Sequence, residues 1–482
     1  MTAAALAVYG VLLAATAVAV VRRPIVALYV FVLGLPLHNI AMSLLYGGGV
    51  RGHPLDAIQA WKEIVLAAAL ASVAAAVIRA RRLPFTPHLV DWLALAYAAV
   101  VALYAILPQS ALDGHAGTRA ILYGLRHDLV LVAAYFLGRS VPLDVRRVRW
   151  LIAFAAAGVA VWGLVEVYSV PIEWWRHSGA VGYFHRELGY DYHGPGGLPE
   201  NFAFNTSGGL FRRLVSTFVS PLATAYMLLV ALLLLATVRR LRPLAVVLAV
   251  LCAAGLLWTF SRSSVVALAI GLVVLAAARR RRWPLGAAVV VVAVGFGFAA
   301  AFHTIAPRTH WFAKDQPYQL AQAKAKGPLP RGSGLSGTVS LGEPSIKSHL
   351  DSLRDGIRTV IHHPQGYGLG NAGTTAQRFG VTLKAGESNY TELGAETGLG
   401  GALLFIAWNA ALLAGLLAAA WAGDRAAAGA AAALTATLAL AVQTDAIGVP
   451  WLAYALWWLA GALVFAARGK EQQWTARSPG TS

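Results

Sequence analysis

At 482 residues the chain is 58% hydrophobic and only 12% charged, with a mean hydropathy of +0.63. A soluble domain carries roughly twice that charge, so the composition excludes a soluble globular protein and points to a polytopic membrane protein. The net charge of +18 would suit a nucleic-acid binder, but the Arg residues fall in short clusters between apolar runs, the pattern of cytoplasmic loops.

A membrane-spanning helix needs about 20 mainly apolar residues. On that basis spans are expected near 3–21, 25–45, 58–78, 88–107, 121–138, 148–169, 212–237, 243–260, 263–278, 285–303, 389–420, 427–446 and 450–467. The expected fold is therefore all-α, with about 13 transmembrane helices. The first run ends at Arg22-Arg23 and the next begins at once, so the first segment reads as a retained helix rather than a cleaved leader. Pro24, Pro243, Pro284 and Pro450 stand at helix starts, where a missing N–H costs nothing. Cys252 is the one cysteine, which leaves no disulfide and no thiolate metal cluster.

Arg clusters at 22–23, 79–82, 139–149, 239–242 and 279–282, with Arg425 and Arg468/Lys470, fall at every second connection. All of them can be cytoplasmic at once, which puts the N-terminus outside and the C-terminus inside. The chain then divides into N-terminal helices (1–169), an aromatic external loop (170–211), central helices (212–303), a large external loop (304–388), C-terminal helices (389–467) and a cytoplasmic tail (468–482). The first loop carries Trp174, Trp175, Tyr183, Phe184, Tyr190, Tyr192, Phe202 and Phe204, faces that can stack on sugar rings or anchor the loop at the interface. The second passes through a Gly/Pro/Ser-rich part around Gly327–Gly334 and an expected amphipathic helix, 349–362, stopped by Pro364. From 304 to 390 there are ten Lys/Arg against five Asp/Glu, a balance that suits an anionic ligand or anionic headgroups.

With this topology, polar groups collect on the external face. Arg212 and Arg213 open one expected helix, Arg126-His127-Asp128 another and Lys62-Glu63 a third; His349 and Arg354 lie on the loop helix. Arg262 sits in the tight turn Trp258–Ser264, where snorkelling explains it poorly. Arg offers a permanent charge and a planar fork that fits phosphate oxygens. No metal site is evident, because carboxylates and histidines are scattered along the chain.

The stretch Glu387-Ser388-Asn389-Tyr390-Thr391-Glu392-Leu393-Gly394-Ala395-Glu396-Thr397-Gly398-Leu399-Gly400 puts acid, hydroxyl, amide and phenol groups where a long polar loop becomes an apolar helix. Such groups are either helix-start chemistry or a functional cluster. The stretch resembles the signature of the O-antigen ligase and O-antigen polymerase superfamily, His-Asn-x-Tyr-Leu followed by Glu-x-Gly-Leu-x-Gly. Tyr390, Glu396, Gly398, Leu399 and Gly400 fit, whereas Glu387 stands at the ligase's His position, as in exopolysaccharide-type polymerases. Ser216-Thr217-Phe218-Val219-Ser220-Pro221 after Arg213, Thr259–Ser263 around Arg262, and Arg354 upstream of Pro364–Gly370 resemble further family segments, in the same order.

The resemblance implies a GT-C-type glycosyltransferase in the bacterial cytoplasmic membrane, acting at its external face without metal or cofactor. Its donor is expected to be a glycan on polyprenyl diphosphate. Arg213 and Arg262 are the expected diphosphate ligands and Glu387 the expected base. Arg212, Arg126, Arg354, His349, Lys62, Ser388, Asn389 and Tyr390 are the expected substrate contacts. The Glu at the His position favours polymerisation of lipid-linked repeat units into exopolysaccharide or O-antigen, with a flippase and a chain-length regulator as possible partners. The alternatives are a ligase that moves finished glycan to lipid A core or another acceptor, and a non-catalytic transporter. A transporter expects charges near the bilayer midplane and repeated halves; here the charges gather at one face and no repeat is visible.

Overall fold

The computed structural model describes residues 2–206, 209–238, 242–326, 344–386 and 388–465. Glu387, Arg239, Arg240, the Gly327–Gly334 segment, Arg468, Lys470 and the tail lie outside the described residues. Thirteen apolar helices occupy the thirteen expected runs: α1 (Thr2–Arg22), α2 (Ile25–Gly47), α3 (Trp61–Ala80), α4 (Leu89–Ile106), α5 (Thr118–Ser140), α6 (Val145–Ser169), α7 (Pro221–Leu235), α8 (Pro243–Trp258), α9 (Arg262–Arg279), α10 (Trp283–Ile305), α11 (Asn389–Trp421), α12 (Arg425–Leu440) and α13 (Pro450–Leu463). Nine of these are long and apolar enough to cross a membrane, and α7, α8 and α12 are shorter apolar helices.

Local chemistry sets several of the starts. Asp144, Ser220 and Asp424 cap α6, α7 and α12 by accepting backbone N–H groups of the first turn. Proline opens α7, α8 and α13. Helix α13 packs on α5, α12 on α9 and α11 on α4, around a core holding Trp408, Trp451, Trp457, Trp458, Tyr97 and Tyr135. At one end of α5 a buried Asp91 accepts from Tyr135 Oη (2.7 Å) and Arg139 Nε (2.9 Å), so this intramembrane charge is paired.

Two starts differ from expectation. The helix expected from 212 begins at Pro221, because residues 213–220 form an irregular strap through the core. Leu214 N–H donates to Trp258 O, Ser216 Oγ to Val159 O and Asn39 Nδ2 to Phe218 O, so the strap's polar groups find partners outside any helix. Conversely, Arg126-His127-Asp128 lie well inside α5, which starts at Thr118. The loop helix runs over Pro344–His362 and packs on the start of α11 through Gly356 against Thr391 and Val360 against Gly394.

The two long connections fold together. Strands β1 (Ala203–Thr206) and β2 (Gly209–Arg212) form a hairpin, and β3 (Arg308–Thr309), from the second connection, pairs with β2. Asp315 accepts from Gly196 N–H at 2.7 Å, Arg176 stacks on Phe312 at 3.8 Å and His193 on Tyr318 at 3.9 Å. Both connections therefore lie at the same end of the bundle.

Helix α11 is broken at Gly398 (φ 70°, ψ 175°), a conformation that a residue with a Cβ adopts only with strain. The loop Pro364–Gly370 fills the break: Leu399 N–H donates to Pro364 O (2.8 Å), and a Cβ on Gly366 would collide with Gly398 N. The carboxylate of Glu396 accepts Gly370 N–H (2.8 Å) and Ala372 N–H (3.3 Å). The two glycine-bearing segments read separately in the sequence are thus the two halves of one joint, and Glu396 clamps it.

Candidate functional site

A cavity of about 1280 Å³ opens where the two long connections meet the helices. One wall carries two guanidinium groups. The strap leaves β2 at Arg213, whose N–H donates to Phe202 O, and docks on the α8–α9 turn. Arg213 Nε donates to Thr259 O at 2.8 Å, which brings it beside Arg262 in the first turn of α9. Phe204 and Phe260 flank Arg262, with ring centroids 5.6 and 5.7 Å from its guanidinium carbon. Burial first, then the charge of Arg262, pull Arg213 down to about 9 from the ordinary Arg value. Two like charges held beside each other on a half-buried wall favour an anion between them.

The backbone that supports this pair is strained. Ser216 and Val219 on the strap and Phe260 in the turn hold left-handed φ values of 52°, 55° and 50° without being glycine. Each such residue costs about 1–3 kcal/mol and persists only where the surroundings over-determine it. Val219 and Phe260 both line the cavity.

Beyond the Arg pair the lining becomes apolar. Val265, Val266 and Ile270 of α9 face Phe296, Phe298 and Ala299 of α10. Val266, Ile270 and Phe296 stay exposed, so this end of the cavity is an apolar slot along two helices.

A second wall is built from α3, α5 and the short helix Gly373–Arg378, with Lys62, Arg126 and Arg378 in the lining. Glu63 Oε1 accepts from Arg126 at 2.8 Å, and its Oε2 lies 3.7 Å from Lys62 Nζ. The Tyr123 ring meets the guanidinium groups of both Arg126 (4.4 Å) and Arg378 (4.0 Å).

The acidic groups occupy a third region. Glu392 and Asp445 reach the cavity, and behind them His127 bridges Asp445 (Nε2 to Oδ1, 3.2 Å) and the buried Asp128 (Nδ1 to Oδ1, 2.8 Å). Asp445 also accepts from Asn389 Nδ2 (2.8 Å), Thr374 Oγ1 (2.9 Å) and Gly448 N–H (2.7 Å). Burial pushes its carboxyl up, but the charge and hydrogen bond of His127, with those of Asn389 and Thr374, outweigh this and hold it below the usual carboxylate range. His127, Glu392 and Asp445 each offer one ligand atom within 4.8 Å of the others, a donor set able to hold a metal ion that the linear sequence does not display.

Of the residues singled out from the sequence, Arg213, Arg262, Arg126, Lys62 and His349 share this cavity. The others lie elsewhere. Arg212, one residue from Arg213, turns into the protein and pairs with the fully buried Glu166, which also accepts from Trp175 Nε1 at 2.7 Å. Arg354 is exposed outside the cavity lining. Ser388 and Asn389 are buried, and Asn389 is spent on Asp445 and on the backbone of Ala446 and Ile447. Tyr390 donates to Leu438 O at 3.0 Å. Glu387 lies outside the described residues. Sequence reading passed over Arg378, which carries no motif, and Asp445, hidden within an expected span that the structure ends at Leu440.

No curated protein matches the chain. Residues 247–406 match the family model described as O-antigen ligase. That segment runs from α8 through α9, with Arg262, and the Gly398 joint to Ile406, and the match supports an O-antigen ligase or polymerase type of function, which in that family implies a lipid-linked glycan donor and an acceptor within a membrane. Over that third of its length, and within a multi-pass helical fold, the chain is similar to the O-antigen ligase family.

Proposed function

We propose that the protein is a GT-C-type polymerase of the bacterial cytoplasmic membrane, with its cavity on the external face, that joins polyprenyl-diphosphate-linked repeat units into exopolysaccharide or O-antigen. The observation that carries this reading is the juxtaposition along one cavity of a half-buried guanidinium pair and an exposed apolar slot. A polyprenyl diphosphate has those two parts. The slot between α9 and α10 takes the isoprenoid chain, and Arg213 and Arg262 take the diphosphate.

The reaction is a single in-line displacement. The acceptor hydroxyl oxygen bonds to the anomeric carbon, the bond from that carbon to the diphosphate oxygen breaks, and configuration inverts. The electron pair leaves on polyprenyl diphosphate, whose added negative charge the two guanidinium groups stabilise. The hydroxyl proton passes to Glu387, set by sequence at the end of the loop that leads into α11. The paired cations take the electrostatic role that a metal has in other glycosyl transfers. A second reading, the ligase, is favoured by the description of the matching family.

Glycans that accumulate in cells carrying a normally inserted Glu387→Gln variant test both readings. Single lipid-linked repeats without polymer support the polymerase. Full-length polymer still held on polyprenyl diphosphate identifies a ligase. Unchanged product removes Glu387 from the mechanism, and loss of repeat units from the external face would point to a transporter.

A further inference from the structure

The Arg213–Arg262 wall accounts for one anion, yet the cavity holds a second cationic group on other elements. Arg378 is half-buried at the end of Gly373–Arg378. Its guanidinium rests on Tyr123 (4.0 Å) and Phe379 (5.6 Å), and no carboxylate or hydrogen-bond acceptor among the described residues engages it. Ring faces satisfy the flat side of a guanidinium but none of its five N–H donors. A cation in the last helical turn complements the helix dipole, but a six-residue helix offers little of that and does not require a position on a cavity wall.

The neighbours reinforce the charge. Arg126 also stacks on Tyr123, and Lys62, only 5% exposed, joins it through Glu63. Among the described residues Glu63 pairs with Arg126 and Lys62 and not with Arg378. Tyr123 fixes the spacing of the two guanidinium groups, so the wall is organised before a ligand arrives.

We propose that Arg378, with Arg126 on the same Tyr123 ring and Lys62 beside them, is a second anion subsite that takes a phosphate or carboxylate group of the acceptor. The assignment to the acceptor rests on the transferase reading above; the binding of an anion does not. The two sources of such a group are the diphosphate of a second lipid-linked repeat and an acidic sugar.

Titration of inorganic phosphate into the full-length protein in phosphatidylcholine nanodiscs tests the subsite. An Arg213→Gln/Arg262→Gln variant, which silences the first wall, is expected still to bind phosphate. Adding Arg378→Gln is expected to weaken that binding about tenfold or more, and Arg378→Lys to recover part of it. Displacement by pyrophosphate rather than glucuronate assigns a lipid diphosphate, and the reverse assigns an acidic sugar. No phosphate binding in the double variant, or binding indifferent to Arg378→Gln, overturns the proposal. If the double variant does not fold, single Arg378→Gln must lower the phosphate stoichiometry of the otherwise native protein from two to one. None of these readouts needs glycan transfer, so a wild-type protein that makes no polymer would refute the polymerase reading alone.

Discussion

Arg212 and Arg213 are chemically identical and adjacent, yet they serve different regions of the molecule. Arg212 closes the end of β2 and is buried against Glu166 in the packing between the first long connection and α6. Arg213 follows where the strand ends, faces the cavity and is set beside another cation instead of a carboxylate. The difference is one of compensation. A buried charge with its counter-ion supplied by the fold is a structural element; one placed beside a like charge waits for a ligand.

Substitution at the two places should separate these roles. Arg213→Ala or Arg262→Ala is expected to lower glycan transfer by about 10²–10³-fold or more with little change in melting, since removing one donor to a developing oxyanion costs that much. Transfer that survives at half the wild-type rate would rule the pair out. Arg212→Ala is expected to act on the protein itself. It leaves Glu166 buried and uncompensated, a loss of about 3–5 kcal/mol, seen as lower yield and melting temperature. An Arg212→Met/Glu166→Leu pair should recover most of that stability, and a failure to recover any would contradict the structural role.

The acidic region sharpens the comparison further, because there too a charge is compensated internally. The folded value of Asp445 lies below its unfolded one. The stability it contributes is therefore complete above the unfolded carboxylate value of about 4 and is lost as pH falls through the folded value. Thermal unfolding of wild type followed from pH 6 down to pH 2 should show that loss, and Asp445→Asn should be less stable at pH 6 with a flatter profile. Equal slopes would mean that the His127, Asn389 and Thr374 contacts do not hold the carboxylate. The smallest effect is expected at Tyr390. Its hydroxyl is used on Leu438 O, so Tyr390→Phe should cost about 0.5–1.5 kcal/mol of stability and leave the KM for acceptor unchanged. A large rise in that KM would restore the acceptor contact expected from the sequence.

The all-α, multi-pass architecture was legible in the sequence because a membrane span is a one-dimensional property: some 20 apolar residues in a row suffice, and the expected runs each hold an apolar helix, nine of them long enough to cross. The common end of the two long connections was legible for the same reason, through the alternation of Arg clusters, and the sheet joining β2 to β3 agrees with it. The motifs around Arg213, Arg262, Pro364–Gly370 and Glu396–Gly400 also stood in the linear order. What each polar residue does was decided by tertiary structure alone. Whether an Arg meets Glu166 or a second Arg depends on where a strand stops and a strap begins, within one residue. Arg378 and Asp445 come to the cavity from separate stretches, and the glycine loop finds its partner at the Gly398 break some thirty residues on. Hydrophobic length is summed along the chain, whereas charge compensation is a relation between distant residues, and only the folded packing brings those together.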